Sequence, residues 1–467
     1  MSAADTCGWH ETLARDLRTI ARYDHSVAIP ELGTLFRFEP GTALGRAQRR
    51  TAEIYGVPFA YPSTNGTTPL NVLALLTLLR PGDTVLIGRD AHVSVLAPLI
   101  HLGLRPVYLT PGYAADLGVP LQITPAQLRA ALDAHPEVRA VVLTYPNYFG
   151  VAGDLAGCAA VARERGVPLI VDSTHGAHLA FQPDSPDLPP PAERSGAAIV
   201  TQSQHKTCGA LGQASLALIN DPGLIERFYE VVNGTGFVST SFSSVILASL
   251  FESIWRLHRE GAALIAERLA MVAWAREAIN RIPGLRSFDA TDRREGFAAF
   301  DPLRLTINVA ASGQTGFAVE RALQSCGHYP EFATLDTVLC LVTLGTAWEE
   351  LRGLVRALAA IVAAPPGARV RRPVPRLAAM PPQPRQLLSP REVFYSQRRR
   401  RVAVGEAVGG ISAETIATYP PGSALIVAGE EVTSEVLDFL REARAQGATL
   451  KGASDPDLTT ILLVDRD

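Results

Sequence analysis

The sequence predicts an α/β protein: a mostly parallel sheet flanked by helices on both faces, then a smaller α/β unit and a C-terminal α+β unit. Three observations predict it. From about position 51 to 202, short apolar strands alternate with helices of about ten residues, the pattern of a sheet covered on both sides. Ser243 to Ile282 is apolar and free of proline, so it should hold long helices leading away from that sheet. Eight prolines then fall within residues 365–390 and mark a linker before a compact last unit.

The elements follow in order. Residues 1–50 read as a helical arm (helical spacing from Glu11 to Ile20) and an irregular stretch rich in Pro and Gly from Ile29 to Gly41. Leu70 to Leu79 is a buried helix, Thr84 to Ile87 a strand, Val93 to Leu102 a helix and Arg105 to Leu109 a strand. Pro125 to Ala134 and Ala156 to Glu164 are helices, while Ala140 to Thr144, Val167 to Asp172 and Ala197 to Gln202 are strands. In the smaller unit Leu303 to Val309 and Thr337 to Val342 are strands. The expected division is an arm (1–50), a large domain (51–285), a small α/β domain (286–364), the Pro-rich linker (365–390) and a C-terminal domain (391–467).

Composition narrows the class. The 467 residues carry 43 Lys+Arg and 46 Asp+Glu, a formal net charge of -3, with 47% hydrophobic and 19% charged residues. That is a soluble globular composition, and its balance argues against nucleic acid as a partner. No stretch approaches the roughly 20 apolar residues of a membrane span. Asp5, Glu11, Arg15, Asp16 and Arg18 exclude the apolar centre of a secretory signal. Cys7, Cys158, Cys208, Cys326 and Cys340 are odd in number and widely spaced, which fits reduced thiols in the cytoplasm.

Only two of the basic residues are Lys, Lys206 and Lys451. In so Arg-rich a chain a retained Lys suggests chemistry that guanidinium cannot do, namely losing its proton and acting as a nucleophile. Lys451 precedes Gly452 in a polar turn and reads as a solvated side chain. Lys206 follows the strand 197–202, and Asp172 ends the strand before it. Ligands in such sheets sit beyond the C-terminal strand ends. A pyridine aldehyde cofactor would bridge the pair, Lys206 as its Schiff base and Asp172 against the ring nitrogen. A surface ion pair beside a helix-start Asp is the plainer alternative.

Gly66, Thr67 and Thr68 open the helix that contains Pro69 and Leu70, a helix start able to attract phosphate, and Ser203 and His205 could donate to the same group. His92, His175 and His178 also lie at strand ends. A metal held by Asp172, His175 and His178 is a rival, ranked lower because Gly176 makes their segment a loop rather than a helix with i,i+4 ligands. Arg398 to Arg401, with Arg369, Arg371, Arg372 and Arg376, could meet a polyanion, but a solvated linker face is the ordinary reading.

The motifs Asn65-Gly66-Thr67-Thr68, Arg89-Asp90-Ala91-His92, Tyr145-Pro146-Asn147-Tyr148, Asp172-Ser173-Thr174-His175 and Ser203-Gln204-His205-Lys206, in this order, resemble those of the ornithine/lysine/arginine decarboxylases. Asp301 to Leu305 resembles that family's lead into its small domain, and Ile411 to Glu414 with Tyr419-Pro420-Pro421-Gly422 its C-terminal domain. The resemblance implies pyridoxal 5'-phosphate and the aminotransferase-like fold (fold type I). It implies that Lys206 carries the cofactor, Asp172 pairs with its ring nitrogen and His92 stacks on the ring. Gly66, Thr67, Thr68, Ser203 and His205 would hold the phosphate, and His175 would lie near the ring oxygen or the substrate. It also implies a homodimer or larger homo-oligomer with active sites at the subunit interface. Three departures stand out: residues 1–50 lack the family's early Pro-Gly-His-Lys-type segment, Thr174 replaces a small Ala, and Val93 replaces a frequent Lys.

The implied activity is decarboxylation of arginine, lysine or ornithine, with Glu331 as the partner of the cationic side chain and Glu252 and Asp336 as weaker candidates. The departures motivate an alternative, elimination or cyclisation of a hydroxylated arginine-like amino acid that keeps its carboxylate. A binding-only homologue is a third possibility, against which the intact Asp172 and Lys206 argue.

Overall fold

The computed structural model describes residues 43–185, 187–239, 242–364, 381–419, 424–445 and 447–465. The arm up to residue 42, the linker from 365 to 380 with its four arginines, and Pro420-Pro421-Gly422 lie outside the described residues.

Seven strands make the main sheet: β1 (Phe59–Ser63), β2 (Thr84–Gly88), β3 (Arg105–Leu109), β4 (Val138–Thr144), β5 (Leu169–Asp172), β6 (Ile199–Ser203) and β7 (Ser215–Ile219). Their order is β1-β7-β6-β5-β4-β2-β3, with β7 antiparallel to both neighbours and every other pair parallel. The inner strands are buried along nearly their whole length because helices cover both faces, with polar residues gathered toward the ends of β5 and β6.

α1 (Ala43–Tyr55) leads into the sheet, α2 (Thr67–Leu78), α3 (Leu96–His101), α4 (Pro125–Ala134), α5 (Leu155–Glu164) and α6 (Gln204–Thr207) lie between its strands, and α7 (Ile225–Thr235) follows it. α2 is apolar nearly all round and lies buried in the molecule. The helix expected from Val93 to Leu102 is instead a 3₁₀ turn at Val93–Val95 followed by the short α3. His92 caps that turn by accepting the Ser94 amide, which breaks the regular helix.

Ser243 to Ile282, expected to hold several helices, is one: α8 (Ser244–Asn280), 37 residues started by the Ser243 side chain. At 1.5 Å per residue it is about 55 Å long. The strands β8 (Arg286–Ser287), β9 (Arg304–Asn308), β10 (Phe332–Ala333) and β11 (Thr337–Leu341) form a second, antiparallel sheet in the order β8-β9-β11-β10. Helices α9 (Gly316–Ser325) and α10 (Trp348–Ala363) cover it.

After α11 (Pro390–Tyr395), β12 (Arg399–Ala403) pairs with the last strand, Thr460–Val464. The Arg run expected on a linker face therefore belongs to a strand, whose exposed charges suit a sheet edge. A three-stranded sheet follows, with β13 (Ile416–Tyr419) between β14 (Ala424–Ile426) and β15 (Thr449–Lys451), backed by α12 (Ser434–Ala445). Among the described residues no helix is long and apolar enough to cross a membrane.

Candidate active site

The site forms where β2, β5 and β6 end and α2 begins. Asp172 ends β5 in register with Thr201 of β6, and its side chain is 5% exposed. Its Oδ2 accepts the Asn71 amide at 2.8 Å and its Oδ1 the Thr174 backbone N–H at 3.0 Å. Asn71 is fixed in turn, because its Oδ1 accepts Thr201 Oγ1 at 2.6 Å and its Nδ2 also reaches Ser94 Oγ at 3.0 Å. A carboxylate held through both oxygens by two donors, one of them a side chain that is itself fixed, has one orientation, and its remaining lone pairs can accept a further N–H.

Lys206 lies on α6, whose four residues follow β6 directly. Its Nζ is 3.4 Å from His175 Nε2 and 5.3 Å from the centre of the Tyr148 ring. Burial and then the Arg304 guanidinium push its pKa below the ordinary lysine value, against the pull of Asp172 and Glu331. Burial, Arg304 and Lys206 push His175 well below the usual imidazole value, so its ring is neutral. The Tyr148 ring lies over His175 at 3.9 Å between centres, and its hydroxyl donates to Glu331 Oε1 at 3.1 Å.

Arg304 opens β9 and is 1% exposed. Its Nη2 donates to the His175 carbonyl at 2.8 Å, and its Nε lies 3.5 Å from Asp301, which pairs with His178 at 3.2 Å. The small sheet thus supplies a fixed cation beneath the loop that carries His175. His178 faces Asp301 while Asp172 faces Asn71, so the residues of the metal reading are engaged separately. Among the described residues no group of three His, Cys, Asp or Glu could hold a metal.

At the other end of the site Gly66 caps α2 at φ 81, a left-handed conformation that suits glycine, and no side chain caps the helix. The Gly66 N–H is engaged by the Gln213 carbonyl at 2.9 Å, so the free donors of this helix start belong to Thr67 and Thr68. Thr67 Oγ1 and Ser203 Oγ lie 2.6 Å apart, and His205 Nδ1 donates to the Ala214 carbonyl at 3.0 Å. An uncapped helix start beside two hydroxyls suits a phosphate. The buried Nδ1 of His175 has no hydrogen-bond partner among the described residues, as expected of a polar atom kept for a bound group.

His92 completes the set. The Ser94 N–H donates to its Nδ1 at 3.2 Å, which leaves the ring proton on Nε2. Burial holds it below the ordinary value; Asp172 opposes this and the charges of Lys206 and Lys451 add to it. Of the acids considered for the substrate, Glu331 reaches the site through Tyr148. Glu252 is an exposed residue of α8, 3.9 Å from Arg259, and Asp336 packs against Gly118.

Sequence reasoning missed the roles of Asn71, Arg304 and Tyr148. Asn71 left a signal, since it is the single amide in an otherwise apolar helix. It also missed that the C-terminal sheet closes on the site: Arg89, at the end of β2, binds Glu430 through two hydrogen bonds of 2.8 and 2.7 Å and donates to the Leu425 carbonyl at 3.1 Å.

Behind Asp172, burial first and the Asp172 charge as well raise the Asp90 carboxyl to about 7. From about pH 4 up to about 7 the folded chain holds a proton there that the unfolded chain has released, so stability falls as pH rises through that window. Asp90→Asn should flatten this fall and gain on the order of 3 kcal/mol at pH 8 but little at pH 4. Urea midpoints at the two pH values check it.

Residues 18–295 match the model of the Orn/Lys/Arg decarboxylase major domain, and residues 376–455 that of the Orn/Lys/Arg decarboxylase C-terminal domain. The chain belongs to this family. An arginine decarboxylase of Bacillus anthracis is 30% identical over 97% of this chain and 89% of its own. The lysine decarboxylase LdcF of Francisella novicida superposes with a TM-score of 0.78 at 21% identity, covering 94% of this chain and 74% of that one. An alanine–glyoxylate aminotransferase from Nostoc shares the fold at a TM-score of 0.51 and 19% identity, over 68% of this chain and 86% of its own. The fold is therefore the aminotransferase-like one of pyridoxal-phosphate enzymes, and the protein is an amino-acid decarboxylase, a carbon–carbon lyase.

Proposed function

We propose that this decarboxylase removes the carboxylate of a basic L-amino acid (arginine, lysine or ornithine) using pyridoxal 5'-phosphate. The observation that carries the reading is a half-buried Lys206, whose pKa burial lowers, at the end of the strand beside the doubly anchored Asp172, with Glu331 reached through Tyr148. The cofactor, when bound, draws electrons from the substrate Cα so that carbon dioxide can leave.

The chain's own residues do the rest. Lys206 supplies the amine that carries the cofactor, and Asp172 holds the ring nitrogen protonated. His92 would lie against the ring, while Thr67, Thr68, Ser203 and His205 with the Gly66 turn would hold the phosphate. Neutral His175 and Lys206, 3.4 Å apart, form a pair that can hold a proton and return it to Cα. Glu331 binds the cationic side chain with Tyr148 fixing its carboxylate. We take the working form to be a cytoplasmic homodimer or larger homo-oligomer, which sedimentation of the purified protein would check. Elimination with the carboxylate kept is not favoured by the family relationship.

Mass spectrometry of products formed in heavy water from a panel of basic and hydroxylated basic amino acids tests this. Amines lacking the carboxylate and carrying one deuterium are expected; dehydrated or exchanged products with the carboxylate kept would overturn it. Glu331→Gln should raise KM for the preferred amino acid about 10- to 100-fold by removing a charge-assisted hydrogen bond, with a smaller change in kcat.

A further inference from the structure

The far face of β6 carries a chain of buried polar side chains that lies outside the catalytic set. Thr201 and Ser203 point toward the site, to Asn71 and Thr67, so the alternation of the strand turns Gln202 to the other face. There Gln202 Nε2 donates to Glu193 Oε2 at 3.2 Å, and Gln204 Nε2 donates to Gln202 Oε1 at 3.2 Å and to Tyr55 Oη at 3.1 Å. Glu193 lies on the 3₁₀ turn Ala192–Arg194, pinned by Asn220, whose Nδ2 donates to the Glu193 and Ala197 carbonyls at 3.0 and 2.9 Å. Tyr55 closes α1, and Gln204 opens the four-residue α6, two positions before Lys206. None of the four linked residues is more than 5% exposed.

In this direction the chain strands two acceptors. Glu193 Oε1 and Gln204 Oε1 are buried with no hydrogen-bond partner among the described residues. A proton on Glu193 lets the same three contacts run the other way. With both amides turned over, Glu193 donates to Gln202 Oε1, Gln202 Nε2 donates to Gln204 Oε1, and the Tyr55 hydroxyl donates to Gln204 Oε1 as well. What stays unpaired is then the neutral carbonyl of an acid and an amide N–H instead of an ionised carboxylate, and the under-served charge is the costlier of the two. Burial raises the Glu193 carboxyl to about 7, opposed by Arg194 and by the Gln202 hydrogen bond, so the two directions exchange near neutral pH. Burial also pushes up Tyr55 on α1 and Tyr145 beyond β4, and Cys208 behind α6 to about 12, while Arg194 is exposed on the same turn as Glu193. The charges that bear on Lys206 are those of Arg304, Asp172 and Glu331, so the route from Glu193 to it is the chain and not a field.

We propose that Glu193, holding its proton, is a positioning residue for Lys206, fixing the first turn of α6 through Gln202 and Gln204 and loosening it when the proton leaves; this rests on the reading of Lys206 as the lysine that carries the cofactor. Two trends then oppose each other as pH rises. The Lys206 amine sheds its proton and gains reactivity, while the turn that aims it slackens.

Comparison of Glu193→Gln with the wild type separates the two, because the amide can donate and accept at every pH and the Lys206 chemistry is the same in both. The apoprotein is given pyridoxal 5'-phosphate; the aldehyde condenses with the amine, losing water, and borohydride reduces the product at set times. Mass spectrometry counts the adduct at Lys206, with Lys451 as the reference. The ratio of the variant's rate to that of the wild type should rise about threefold between pH 6 and pH 8. Gln204→Met cuts the chain and keeps the Glu193 charge, so adding Glu193→Gln to it should change nothing at either pH. A ratio equal at both pH values (as a purely structural role gives), a ratio that falls, or a rise that persists in Gln204→Met would overturn the assignment. If the cofactor never marks Lys206 in the wild type, the reading of Lys206 falls by itself. Acetic anhydride, which needs only a free amine, then decides Glu193: a pH-dependent ratio that vanishes in Gln204→Met upholds it, and anything else refutes it.

Discussion

Lys206→Ala will lose the visible absorbance of the bound cofactor and activity by about 10³-fold or more, while the protein stays folded. The reason is chemical. Arg304 and burial already work against a proton on this amine, so Lys206 is placed to react and not to make an ion pair. The sign of its linkage supports a folded variant. A lysine whose folded pKa lies below its unfolded value weakens the fold at neutral pH, and stability rises with pH between the folded and the unfolded pKa. Removing it cannot cost that stability, so, compared with the wild type stripped of cofactor, the variant should melt no lower at pH 7. Lys206→Arg separates charge from reactivity, since guanidinium keeps the positive charge but gives up no proton. It should be as inactive as the Ala variant. Spectra and single-turnover rates check both, and a persistent cofactor band in Lys206→Ala would remove Lys206 from the reaction.

Much of this was legible in the sequence because a parallel sheet collects chemistry at the ends of its strands. Once 167–172 and 197–202 read as strands, Asp172 and Lys206 had to emerge on one edge, whatever lay between them. What holds Asp172 was not legible. Asn71 reaches it across 101 positions and Thr201 reaches Asn71 across 130, and no local pattern encodes a hydrogen bond between elements so far apart. Arg304 was hidden for a different reason: in an Arg-rich chain a single Arg carries little information, and only its burial beneath His175 makes it exceptional. The Arg run from 398 misled because charge suggests a solvated linker, whereas an edge strand can be just as charged. Lys451 is exposed at the end of β15, in keeping with its reading as a solvated side chain, but its pairing with Ala417 was not legible, because register comes from pairing rather than from neighbouring residues.

The contact between Arg89 and Glu430 leads to the other large effect, because it joins elements 341 positions apart with both side chains almost wholly buried. Glu430 also accepts the Val427 N–H at 2.7 Å, and Arg89 lies 4.6 Å above the Tyr108 ring. Removing one partner of such a pair strands a buried charge, so Glu430→Gln or Arg89→Met should each cost about 3–5 kcal/mol. The double replacement Arg89→Met with Glu430→Leu should recover much of that, because two apolar side chains leave no charge unpaired. The single variants should differ in their pH dependence. Burial already raises the Glu430 carboxyl, with Arg89 opposing, so in Arg89→Met it rises further. The folded state then keeps a proton that the unfolded state has lost, and Arg89→Met weakens as pH climbs above the ordinary glutamate value of about 4.3. Glu430→Gln removes a carboxyl whose pKa the fold already raises, so the wild type loses stability above the ordinary glutamate value while the variant does not, and the deficit of Glu430→Gln should shrink as pH climbs. Denaturant titrations of the single and double variants at pH 5 and 8 measure the coupling directly. Because Arg89 stands three residues before His92 and the Glu430 segment lines a cavity with both, the single variants should also lose kcat, and the double variant should regain part of it. A stable, fully active Glu430→Gln would mean that the C-terminal domain closes on the site without this pair.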